Sequence, residues 1–156
     1  MVRKLPDARA LSDLLTSLLG RTAHAKPSPR PAALSAGKLA LGTYCSDDGL
    51  LSAACVSDLR LACFVGACLT LVPAGVAASS AAEGTLPPQL QENFAEVLNI
   101  LARLINDGGQ PHVVFKDLSV AMPPLTNDAA ALLAGPRVDF EVTVEGYGKG
   151  SLAFAG

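Results

Sequence analysis

The chain has 156 residues, half of them hydrophobic, and a formal net charge of −2. That length suits one domain with a sizeable core, and the hydrophobic content excludes disorder as the dominant state. With aromatic residues at 4% and no Trp, Ala, Leu and Val must fill the interior.

Charge is unevenly spread. Residues 1–38 carry seven Lys/Arg against two acids, and the remainder five against twelve. A basic N-terminal helix lying on an acidic body accounts for this pattern. Scattered cations with few aromatics do not make a nucleic-acid arm, so no nucleic-acid partner is expected. Cys45, Cys55, Cys63 and Cys68 lie in apolar surroundings without a C-x-x-C pair, and neither His24 nor His112 neighbours them. No metal site is expected; buried free thiols in a reducing cytosol are, which implies a cytoplasmic protein. The opening "MVRKLPDARALSDLL" has no continuous apolar run of the secretory kind.

In chain order, Leu11, Leu14, Leu15, Leu18 and Leu19 form one apolar helix face ended by Gly20, giving an N-terminal helix over 7–20. Pro27, Pro29 and Pro31 then forbid a helix, and a Pro-rich extended connector is predicted over 25–37, ahead of a core over 38–156. "KLALGTYCSDDGLLSAACVSD" reads as a β-hairpin turning at Asp48-Gly49, and Asp58, or Ser57 beside it, suits the cap of the next helix.

Between Arg60 and Glu83 there is no charge, a length able to span a bilayer. Pro73, many small residues and missing aromatic belts argue instead for a buried helix that Pro73 kinks or divides. Within it Ala62, Gly66 and Thr70 leave a smooth stripe for close packing. Thr85, Pro87 and Pro88 start a further helix that Gly108-Gly109 ends.

"HVVFKDLSVAM" is a predicted strand, and "NDAAALLAG" a short helix capped by Asn127 or Asp128. Val138, Phe140, Val142 and Val144 alternate with Asp139, Glu141, Thr143 and Glu145, so one strand face should be buried and the other wet. "GYGKG" does not fit a phosphate-binding loop and reads as a turn into a last strand, "SLAFA". The predicted order is α-β-β-α-α-β-α-β-β, an α+β fold with helices packed on an antiparallel sheet. No internal repeat is visible.

The helix "ENFAEVLNILARLIND" carries the candidate site. At about 100° per residue, Glu92, Glu96, Asn99, Arg103 and Asn106 fall on one narrow stripe. Phe94, Val97, Leu98, Leu101, Leu104 and Ile105 lie opposite, facing the core. Asn is a weaker helix former than Glu or Lys by a few tenths of a kcal/mol. The plain alternative to a site is a wet face with ion pairs among Glu92, Glu96 and Arg103.

Glu96 to Asn99, "EVLN", resembles the E-x-x-N motif of the CheC/CheX/FliY chemotaxis phosphatases. The family pattern has Asp or Ser four residues before the Glu, where this chain has Glu92. It has Pro some twenty-three residues after the Asn, and Pro123 falls one residue beyond that place. Arg103 stands where members often carry a small residue. A single E-x-x-N is similar to CheX-like, single-site members, and the order of elements resembles a CheX-like α+β fold.

The resemblance implies a phosphatase acting on the aspartyl phosphate of a CheY-like response-regulator receiver domain. Glu96 and Asn99 are its implied catalytic residues, and Glu92 and Arg103 its implied partner-binding residues. The Mg²⁺ is expected on the receiver, with no cofactor on this chain. The resemblance also implies a capacity to dimerise, for which sheet edges offer a route. The alternative expectation is a non-catalytic module of the same fold that docks a partner through the helix over 86–107. A small-molecule-binding domain finds no convergent polar cluster in the sequence.

Overall fold

Six strands form one antiparallel sheet in the order β1-β5-β6-β3-β2-β4, described by a computed structural model over residues 3–29 and 37–156. Along the chain the elements are α1 (Ala8–Leu19), β1 (Ala23–Pro27), β2 (Leu39–Ser46), β3 (Leu51–Asp58), α2 (Leu59–Leu69) and α3 (Ala74–Glu83). They continue with α4 (Pro88–Asp107), β4 (Val113–Ala121), α5 (Asn127–Ala134), β5 (Arg137–Val144) and β6 (Gly148–Ala155). The fold is α+β.

Side-chain alternation in the strands sends two sets of residues to opposite sheet faces. Ala40, Tyr44, Cys55, Phe140, Val142, Leu152 and Phe154 meet α1, α2 and α4 in the main core. Leu39, Leu41, Ala54, Val56, Ala153 and Ala155 face the other way and are covered by Ala129 and Leu133 of α5. The chain thus has a thick helical side and a thin one.

Local chemistry sets most boundaries. Asp7 accepts from the Ala10 N–H at 2.8 Å and Gly20 takes φ 65° to close α1. Asp58 caps α2 through the Leu61 N–H (2.8 Å), and its second oxygen accepts from Ser151 N–H (3.1 Å) on β6. The hairpin turns at Asp48-Gly49, where Asp48 accepts from Leu50 N–H and Ser46 Oγ. These hydrogen bonds hold the Asp48 carboxyl below its usual range.

The structure adds a strand and a helix to the predicted order, the helix by the division expected at Pro73, and moves one cap. First, the connector expected over 25–37 begins as strand: Ala23–Pro27 pairs with β5, burying Ala23 and Ala25. Its five-residue alternation is too short to read locally, and Pro27 is tolerated because β1 is an edge strand. The stretch 30–36, with Pro31, lies outside the described residues.

Second, Pro73 divides the charge-free stretch into α2 and α3, with Leu71 between them at φ 59°. Among the described residues no helix is long and apolar enough to cross a membrane. Third, Thr126 rather than Asn127 or Asp128 occupies the N-cap position of α5, and its side chain makes no capping hydrogen bond. The β5 alternation also has an exception. Asp139, expected wet, is buried and held by Arg137 through two hydrogen bonds at 2.9 and 2.7 Å.

A repeat invisible in the sequence is visible in the sheet order. Read from either edge, the order gives one helix-following strand and then a hairpin: β1, β5, β6 from one side and β4, β2, β3 from the other. Each half lends its first strand to the other half's edge. Only burial has to repeat for such an arrangement, so sequence similarity between the halves is not required.

All four cysteines are buried and unpaired. Burial and the nearby Asp58 push the Cys63 thiol up to about 11, and Cys63 Sγ donates to the Thr85 carbonyl. An unfolded thiol titrates near ~8.5, so above that pH the unfolded chain releases a proton that the fold retains. Stability should therefore decline as pH rises toward about 11, read from urea midpoints, and alkylation of native thiols should be slow at neutral pH. Leu71, 76% exposed with positive φ, occupies a position that favours glycine. Leu71→Gly should raise the unfolding free energy by up to about 1 kcal/mol after the larger unfolded-state entropy of Gly is set against relief of strain, read as a higher urea midpoint.

Candidate functional site

α4 spans 20 residues, begins with Pro88 in its first turn and has Gly108 at its C-cap. Its inner face buries Leu90, Asn93, Phe94, Val97, Leu98, Leu101 and Ile105. Leu104, expected in the core, is only half-buried.

Three contacts fix the helix to the rest of the molecule. On β2, Gly42 leaves a notch that Leu98 fills: a Cβ there would meet Leu98 Cδ1 at 2.7 Å. Beside it the fully buried Tyr44 donates its O–H to the Leu98 carbonyl at 2.6 Å, and burial raises its phenol well above the usual range. On α2, Gly66 lets the two helices touch, since a Cβ would meet the Leu90 carbonyl oxygen at 2.6 Å. Asn93 Nδ2 then donates to the Gly66 carbonyl and Thr70 Oγ1, both at 2.8 Å, while Gln89 donates to Asn93 Oδ1. The small stripe read at Ala62, Gly66 and Thr70 is therefore the seam that receives α4. At the far end Arg3 donates to the carbonyls of Ile105, in the last turn of α4, and of Gly109 and Pro111 just beyond it, placing a cation at the helix C-terminus.

α4 contains three internal asparagines, and they divide sharply. Asn93, which sequence reasoning passed over, is 6% exposed and bonded on both ends of its amide. Asn106 leaves the stripe assigned to it: it donates to the Val113 carbonyl (2.9 Å) and accepts from the Val113 N–H (2.8 Å), tying α4 to β4. Asn99 is exposed, and among the described residues it has no hydrogen-bond partner.

Glu92, Glu96 and Arg103 are exposed with it on the outer face. The ion pairs of the described residues are Arg9–Asp13, Lys26–Glu141 and Arg137–Asp139, so the intrahelical pairs expected of an ordinary wet face are not made.

The other half of the sheet offers an internal comparison. Thr16 of α1 donates to the Ala23 carbonyl and accepts from its N–H, as Asn106 does with Val113, and both spacings are seven residues. Matching Thr16 with Asn106 matches Pro6 with Glu96 and Arg9 with Asn99. Arg9 forms a solvated 3.9 Å pair with Asp13. α1 therefore holds the same place in its half of the sheet without the carboxylate and amide, and the arrangement of interest occurs once.

No protein-family model matches the sequence. No curated protein matches it either. Solved structures do. The middle domain of FliM from Vibrio alginolyticus (residues 51–229) superposes with TM-score 0.61 at 15% identity, covering 96% of this chain and 87% of that one. The FliM middle domain from H. pylori gives 0.54 at 8% identity, covering 95% and 83%. CheX from Borrelia burgdorferi, solved with CheY, BeF₃ and Mg²⁺, gives 0.47 at 10% identity, covering 94% and 92%.

The fold is the CheC/CheX/FliY fold. It is shared by CheX, FliY and the FliM middle domain. The likeness to the FliM middle domain extends, as a fold, over nearly the whole chain.

The division among the asparagines can be measured. Asn106→Ala should cost about 1–3 kcal/mol by leaving Val113 groups unpaired, and Asn93→Ala a similar amount. Asn99→Ala should leave stability unchanged or raise it by a few tenths of a kcal/mol. Urea midpoints of the three variants provide the comparison.

Proposed function

We propose that this chain docks the receiver domain of a phosphorylated response regulator on the outer face of α4 and accelerates hydrolysis of its aspartyl phosphate. The observation that carries this reading is the isolation of Asn99. It is the one asparagine of α4 whose side chain makes no hydrogen bond among the described residues, and it follows directly on Leu98, whose carbonyl accepts from Tyr44 and whose side chain fills the notch at Gly42.

The chemistry asked of it is small. An aspartyl phosphate is already activated, and a receiver brings its own Mg²⁺ and Lys to balance phosphoryl charge. The helper has mainly to place a water in line with the leaving carboxylate. A neutral amide can hydrogen-bond that water without adding negative charge beside the phosphoryl group, where a carboxylate would repel it. Glu96, one turn earlier, suits the receiver's lysine and would fix the docking register. Glu92 and Arg103 sit at the margins as partner-binding residues. The chain itself contributes no metal in this scheme.

A second reading keeps the docking and drops the chemistry. Arg103, exposed one turn beyond Asn99, is the observation in its favour. A bulky cation there competes for the approach to the amide, and a non-catalytic module of the same fold would bind a receiver without changing the lifetime of its phosphate.

The two separate in one assay. With a phosphorylated receiver, the decay rate should rise with the concentration of this protein and saturate. Asn99→Ala should abolish the acceleration while still binding. Binding with an unaltered decay rate would select the non-catalytic module, and a rise in that rate on Arg103→Gly would identify the cation as the obstruction.

A further inference from the structure

The outer face of α4 does not end at the helix. Between its first half and β4 lies a groove with a cavity volume of 440 Å³, lined by Pro88, Gln91, Glu92 and Ala95 on one wall and by Phe115, Asp117 and Leu118 on the other. It exists because α4 is drawn toward β2 by Tyr44 and toward α2 by Gly66, while β4 is the outermost strand. A bulge between Thr43 and Tyr44 in the β2–β4 ladder shifts the register, so that Phe115 and Leu118, opposite Tyr44 and Gly42, both point to the α4 side. Both stay only half-buried, and beyond them Val120 is 41% and Met122 57% exposed. Phe115 and Leu118 give the groove an apolar floor at a sheet edge.

The rim has one sign. Glu92 and Asp117 line the groove and Glu96 stands a turn further along. None of the three is in an ion pair among the described residues. Asp117 stands at the edge between the two faces: its Oδ1 accepts from Thr43 Oγ1 and it also lines the cavity on the opposite sheet face, so Glu92 and Glu96 carry most of the rim charge. Lys116, the nearest cation in sequence, lines the cavity on the opposite sheet face. An apolar floor under an acidic rim fits a side chain with an aliphatic stem and a cationic head, which lays the stem on Phe115 and Leu118 and carries the head to the carboxylates.

The geometry points to this groove as the seat for a Lys- or Arg-bearing apolar segment of the docked receiver, adjoining the amide that meets its phosphate. This rests on the proposed docking of a receiver and adds where the partner's segment lies and what chemistry it presents. Ala95 is one turn before Asn99 on the same side of α4, so a segment held in the groove sets how far the partner's phosphoryl group stands from the Asn99 amide. The groove governs affinity and the amide governs turnover.

The test uses the whole chain and a phosphorylated receiver, following phosphate release as a function of receiver concentration. Ala95→Arg fills the groove and reverses its sign. It should raise KM at least tenfold while lowering kcat far less, whereas Asn99→Ala should lower kcat far more than it raises KM. The wild-type KM should also rise with ionic strength. A wild-type KM for Ala95→Arg overturns the inference while leaving the proposed phosphatase intact.

If the wild type binds the receiver without accelerating decay, the catalytic reading falls. The groove is then judged by direct titration: a tenfold weaker Kd for Ala95→Arg supports it, an equal one overturns it. Absence of any binding overturns both readings. If Ala95→Arg instead converts a sedimenting dimer to monomer and leaves receiver binding alone, the occupant is a second copy and the assignment to the receiver is wrong.

Discussion

The hydrogen bond from Tyr44 to the Leu98 carbonyl, set beside the notch at Gly42, is the constraint on which the rest of the structure turns. A phenol with no exposure and a leucine pressed against bare backbone hold one turn of α4 against β2 at a fixed height. A buried hydroxyl requires its partner, since losing it would leave a polar group without water or acceptor. At Gly42 an added methyl group would have to displace the buried Leu98 side chain, so the notch favours this approach distance as well. The restraint acts at Leu98, and the residue that follows it, Asn99, is presented to solvent from this held turn.

The seam with α2 and the tie to β4 then fix direction. Asn93 reaches across to Gly66 and Thr70, and Asn106 pairs with both backbone groups of Val113. These amides act as short pieces of backbone that join a helix to its neighbours where no ladder can form. Between them Asn99 uses the same chemical group for nothing internal. An amide costs an isolated helix only a few tenths of a kcal/mol, so the contrast in partners, rather than the presence of asparagine, is what marks this position.

Much of this was legible in the residues and some was not. The apolar period of 92–107, the glycine at 66 and the alternation after 137 each reflect burial, which leaves a direct trace in sequence. Asn106 was misread because an outward angle on a helical wheel does not reveal that β4 passes beside the last turn. Asn93 was passed over because its neighbour across the seam, Gly66, is 27 residues away. Asp139 read as wet because its partner Arg137 lies two residues away on the same strand and was not considered as a shield. β1 was hidden among prolines, since its five residues gain stability only from β5, more than a hundred positions later. The candidate pair Glu96 and Asn99 was legible as a motif and as an exposed stripe; the clamp behind it and the groove beside it arise from contacts between distant segments.

The unequal cover of the two sheet faces has a further consequence. On the thin side, the Ala129 and Leu133 contacts of an eight-residue helix close the second core, and this helix sits in the connection from β4 to β5. Everything that holds α4 lies across the sheet from it. Length and composition in the stretch that carries α5 can therefore drift between lineages with little mechanical effect on the opposite surface. The fold thus joins a helical side held at several named contacts to a reverse side closed by one short helix.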